Sequence, residues 1–160
     1  MYKLSDTRVL ETRNERDEAV IVIKDTASGN FIEIPAVRWA SFLLLQADID
    51  DAVKQLRERK DYVKYHEHIG GGWYVSVTTG FWCVDIRRFF YTKNGEIKPS
   101  KNGLALRLSE WSELLNQLPM IMSFEPELLV ACPCSMREDH LNDPRVLLGC
   151  RECTPFGDIV

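Results

Sequence analysis

The stretch WYVSVTTGFWCVDIRRFFYTKNGEIKPSKNGLALRL, residues Trp73–Leu108, decides the fold. WYVSV is β-branched and aromatic with period two, which is the pattern of a half-buried strand. TTG then reads as a turn, FWCVDIRRFFY as a long strand, TKNGE as a turn around Asn94-Gly95, and GLALRL as a further strand. Immediately after it, Ser109 is placed to cap a helix, with Ser112 and Glu113 in the first turn. EWSELLNQL is expected to be short and to stop at Pro119. The unit is therefore an antiparallel meander closed by a helix.

The same plan is legible upstream. RVLETR supplies a candidate strand, AVIVI within DEAVIVIKD is a strand, TASGN is a turn, and FIEIP alternates as another strand. Pro35 suits a first helical turn, where a missing N–H costs nothing. Phe42, Leu45, Ile49, Ala52 and Leu56 fall three and four apart, predicting one long helix from about Ala36 to Arg59, with Asp50 and Lys54 paired on its wet side. KDYVKYHEHIGGG reads as a polar connector, and HEH lacks the spacing of a helical metal site. Strands followed by a helix occur twice, with P-x-x-x-W and L-S-E-W opening the helices, as an internal repeat would. The expected organisation is α+β, with units at 1–60 and 61–122 and a different module at 123–160. Trp39 and Trp111 are assigned to the core.

Composition narrows the function. The 160 residues are 45% hydrophobic and 28% charged, with a net charge of −4. No run approaches the roughly 20 apolar residues of a membrane span, and the N-terminus lacks the apolar centre of a signal peptide, so an intracellular protein without a membrane partner is expected. No phosphate-binding glycine loop, nucleophile elbow or H-E-x-x-H is present, and an enzyme is not expected. Against the acidic total, Asp85–Arg107 holds six Lys/Arg opposed only by Asp85 and Glu96. Cations that track phosphates and rings that stack on bases are the ingredients of single-strand binding. Tyr74, Phe81, Trp82, Arg87, Arg88, Phe89, Phe90, Tyr91, Lys93, Lys98 and Lys101 bring both together. Alternation divides them: Val84, Ile86, Arg88 and Phe90 share one face, while Asp85, Arg87, Phe89 and Tyr91 share the other, so half of the rings are equally candidates for the core.

YVSV, VDIRRFF, NGEIKPSKNGLAL and EWSEL, in that order, resemble the single-stranded-DNA-binding domain of the positive-cofactor-four family of transcriptional coactivators. FIEIPAVRW and ADIDDAVKQL in the first unit resemble the end of the same domain. The resemblance implies curved antiparallel sheets, each followed by a helix, and, with two units in one chain, a monomeric tandem pseudo-dimer whose first helix is long and second short. It also implies that Arg87, Phe90, Lys98 and Lys101 contact nucleic acid, pairing Arg87 with Phe90 where parity pairs it with Phe89. A bulge would reconcile the two. The implied role is a non-enzymatic, transcription-cofactor-like binder of single-stranded DNA or RNA, working beside transcription or replication proteins and nuclear if the source is eukaryotic. The alternative is a protein–protein adaptor that keeps the fold without the DNA channel.

The C-terminal module has its own chemistry. Of five cysteines, Cys132, Cys134, Cys150 and Cys153 crowd the end of the chain, an arrangement unlike a secreted disulfide scaffold. Two close pairs are what a tetrahedral Zn²⁺ requires, with His140 able to replace Cys132 or Cys134. Free thiols, or a redox pair at Cys150 and Cys153, are the other readings. A structural zinc would fold this module independently of the sheets.

Overall fold

Residues 1–59 and 62–156 are described by a computed structural model of the chain, and within them lie two four-stranded antiparallel sheets, each a simple meander. The boundary expected between residues 60 and 61 lies outside the described residues, as does the start of the connector at Lys60. The first sheet runs β1 (Tyr2–Lys3), β2 (Arg8–Glu15), β3 (Glu18–Asp25) and β4 (Phe31–Pro35). RVLETR is thus a strand, as expected. β2 and β3 are joined across Arg16 and Asp17, both with positive φ (51° and 63°), the backbone that lets a two-residue turn match strand twist.

The second sheet runs β5 (Lys64–Gly70), β6 (Trp73–Thr78), β7 (Cys83–Tyr91) and β8 (Ile97–Arg107). β5 corrects the expectation of a connector: Lys64–His68 pairs residue by residue with Tyr74–Thr78. Polar side chains hid it, because an edge strand with one wet face need not look apolar. β8 is also longer than GLALRL, since the basic IKPSKN pairs too. Its register against β7 slips from Arg87↔Gly103 to Phe89↔Pro99, so β8 bulges between those pairs.

The first helix is two helices, α1 (Ala36–Leu44) and α2 (Gln46–Arg57), meeting at Leu45, whose N–H bonds back to the Phe42 carbonyl. The break redirects the chain: α1 packs on β3, β4 and β5, and α2 on β5 and β6. Asp50 is engaged by Trp111, whose Nε1 donates to it at 3.3 Å. The second helix, α3 (Leu108–Phe124), is the longest, which reverses the expected long-then-short order. Its cap is Arg107, not Ser109: the Arg107 N–H donates to the Glu110 side chain, which is the half of a capping box that an arginine N-cap allows. Pro119 sits inside α3 and does not end it. Leu118 and Ile121 are buried on either side of it, and their packing holds the helix through the missing hydrogen bond.

One apolar cluster contains residues of both sheets and of α1, α2 and α3. At its centre Trp39 stacks on Phe42 (5.2 Å), and Phe42 meets Trp111 edge-on (5.9 Å), so both tryptophans are core. Buried Glu110 accepts from Ser5 and pairs with Arg8, which also binds Asp25 and the Ala105 carbonyl. The remainder forms α4 (Pro126–Val130), a 3-10 turn at Cys134–Met136, α5 (Glu138–Asn142) and α6 (Pro144–Gly149).

Candidate nucleic-acid face and metal centre

The two sheets turn different outer faces to solvent. On the first, Val20 and Val22 lie beneath a self-neutralising ladder in which Lys24 and Arg13 pair with Glu11 and Arg13 also reaches Glu33. On the second, core and outer residues alternate: Val75, Val77, Val84, Ile86, Leu104 and Leu106 are buried, and their neighbours face out. The outer side carries rings. Tyr74 stacks flat on His66 (4.5 Å, 3°) and meets Phe89 edge-on (4.9 Å), with His68 tilted against it at 5.1 Å. His66 shares a hydrogen bond with Ser76, and burial holds both histidines below the usual imidazole range, favouring neutral rings.

Beside these rings runs a groove of about 560 Å³ floored by Ser76, Thr78, Asp85 and Arg87. Phe81, Phe89 and Pro99 form its sides. Arg87 follows parity: it shares this groove with Phe89. The bulge lies in β8 and does not bring Arg87 to the side of Phe90. Arg87 is also committed internally, forking onto Asp85 (3.2 and 3.1 Å) and donating to the Ser100 carbonyl at 3.0 Å. Arg88 and Phe90 alternate to the opposite side and are exposed, and Phe81 and Trp82 are exposed in the β6–β7 turn. Lys93, Lys98 and Lys101 are exposed along the β7–β8 hairpin, Lys98 within 3.3 Å of Glu96. Tyr91 lies at the face's edge against Phe156 (6.4 Å).

The cysteine module closes on itself differently from the four-sulfur expectation. Cys134, His140, Cys150 and Cys153 bring their donor atoms within 4.8 Å of one another, whereas Cys132 is exposed and stands apart. Cys134 Sγ lies 3.7 Å from Cys150 Sγ and 3.9 Å from His140 Nδ1, and Cys153 Sγ lies 3.4 Å from the same nitrogen. A tetrahedron with metal–sulfur arms of about 2.3 Å has edges near 3.8 Å, so the donor set fits a four-coordinate soft cation. Burial and the neighbouring thiols push Cys153 up to about 12, and burial raises Cys134 too. Thiols packed this closely ionise together only around a cation.

This module is not independent of the sheets. Glu152, between two of the cluster's cysteines, accepts both Nε and Nη2 of Arg38 at 3.0 Å, and its carbonyl accepts from Gly71 N–H at 2.8 Å. Arg38 in turn lies over the Trp73 ring, 6.0 Å from its centroid. Gly70 and Gly71 serve this docking: a Cβ at Gly70 would collide with the Glu152 carboxylate, and one at Gly71 would meet Arg38 at 2.5 Å. Sequence reasoning passed over Arg38, Asp85, Glu152 and the two β5 histidines. A strand pairing of YHEH with VSV was the signal available for the histidines.

The outer face of β5–β8 is therefore aromatic and fringed with cations. The family model for Transcriptional Coactivator p15 (PC4) matches residues 75–117, from β6 into α3, well under half of the chain. That segment contains β7, β8 and the groove. No solved structure matches the chain. No helix among the described residues is long and apolar enough to cross a membrane.

Proposed function

We propose that this chain binds single-stranded nucleic acid, DNA foremost, across the outer face of β5–β8, as a non-enzymatic, coactivator-like protein. The observation that carries the reading is the ring pair of Tyr74 and Phe89 on a face whose β7–β8 hairpin exposes Lys93, Lys98 and Lys101, Phe89 and the three lysines falling inside residues 75–117 that match the coactivator family model. Rings offer stacking at about 1–3 kcal/mol per base, and each neutralised phosphate adds a salt-sensitive gain. Arg87, Phe81 and Trp82 complete the proposed contact set on that face, and Arg88 and Phe90, on the opposite side of β7, join it where the strand passes around the exposed β7–β8 hairpin. The chain is read as two tandem units, 1–60 and 61–122, forming a pseudo-dimer within a monomer, plus a module at 123–160. In that module Zn²⁺ is held by Cys134, His140, Cys150 and Cys153 and supplies rigidity rather than catalysis. A nuclear setting follows if the source is eukaryotic.

The internal pairing of Arg87 with Asp85 and the net charge of −4 favour a second reading, a protein-docking adaptor on the same fold. Fluorescence anisotropy separates them. Single strands are expected to bind better than duplex and to weaken steeply between two salt concentrations. Absent or salt-insensitive binding of single strands would leave the adaptor.

A further inference from the structure

The groove beside the ring cluster has a feature that phosphate binding does not explain. Its floor presents a carboxylate. Asp85 repels a phosphate, and Arg87, forked onto it and tied to the Ser100 carbonyl, is not free to swing toward one. The pair is only a quarter exposed or less, and it is held flat by two parallel hydrogen bonds. The Arg87 fork occupies the carboxylate edge between the two oxygens, so each Asp85 oxygen keeps only an outward lone pair, and a single such oxygen can accept two adjacent donors.

We infer that this groove is a nucleobase pocket that prefers guanine, an inference that rests on the single-strand reading above. A carboxylate selects adjacent N–H donors. Guanine alone among the DNA bases offers two donor groups side by side on its Watson–Crick edge, N1–H and the N2 amino group. Adenine, cytosine and thymine place an acceptor beside their single donor group, and that acceptor would face the carboxylate. Phe81, Phe89 and Pro99 supply apolar contact for the base, and the Ser76 and Thr78 hydroxyls supply adaptable partners. Exposed Lys101, two residues beyond Pro99, supplies a cation for a phosphate next to the bound nucleotide. Phosphate contacts then position the strand, and Asp85 reads one base of it.

The test uses the full chain and oligo-dT strands carrying one central dG, dI, dA or dC, followed by anisotropy. Inosine lacks only the N2 amino group, so the comparison alters the ligand and leaves the protein intact. The dG strand is expected to bind about fivefold or more tighter than dT, with dI falling back to the level of the others, as loss of one donor of a paired base contact implies. Asp85→Asn should erase the dG preference, read as the ratio of dG to dT affinity in the same variant. If all strands bind equally and with salt dependence, the guanine pocket is wrong and single-strand binding stands. If no strand binds, both fall.

Discussion

Gly103 faces Arg87 across the β7–β8 pair, directly before the bulge, and its lack of a side chain is what admits the arginine. A Cβ there would lie 2.7 Å from Arg87 Cγ, 2.8 Å from Cβ and 2.9 Å from Cα, too close to be relieved by rotating a flexible tip. Gly103→Ala is therefore expected to destabilise the fold by about 1–3 kcal/mol, as overpacking does, and to displace the Arg87–Asp85 fork. Thermal unfolding reads the first effect, and a weakened affinity for single strands reads the second. An unchanged melting temperature would mean that the strands part at no cost. No periodicity argument could reveal this glycine's role, because the close approach exists only once β7 and β8 are in register.

The elements differ from their sequence patterns where a partner element intervenes. α1 and α2 share one apolar stripe, yet the chain breaks at Leu45 so that α1 bridges β3, β4 and β5 while α2 packs on β5 and β6. α3 passes Pro119 because buried Leu118 and Ile121 outweigh one lost hydrogen bond. Its start depends on Glu110, fully buried, which caps the helix and receives Ser5 and Arg8 from the first sheet. Glu110→Ala leaves Arg8 short of a buried partner, and the expected loss is about 3–5 kcal/mol, measured by denaturant unfolding. Because both sheets contribute to one apolar core, they should still unfold together in that variant. Two separate transitions would contradict the shared core.

At the scale of the whole molecule, the cysteine module is expected to matter beyond its own residues. Metal analysis should return about one zinc per chain. Cys132→Ser should keep the metal, since that thiol is outside the cluster, whereas Cys150→Ser or His140→Ala should lose it. Chelation should raise amide exchange from about residue 130 onward, and also at Gly70–Gly72, because Glu152 docks on Arg38 and Gly71. Protection in β3, buried on both faces, should persist. Exchange that rises in the tail alone would show that the Arg38–Glu152 contact does not transmit the loss.

Local pattern was enough for what depends on neighbours in the chain. Alternation identified β3, β4, β6, β7 and the end of β8, and the Asn94-Gly95 turn set their hairpin. Composition singled out the cation-and-ring stretch and the cysteine-rich tail as the places with chemistry. Tertiary structure decided the rest, for a common physical reason: a side chain's role is set by what packs against it. β5 is a strand because β6 offers it a ladder, despite a polar sequence. His140 replaces Cys132 because helical turns at 134–142 bring a ring and not that thiol to the other three cysteines. Arg87 lines a groove with Phe89 because strand parity, which a bulge in the partner strand leaves intact, governs its direction.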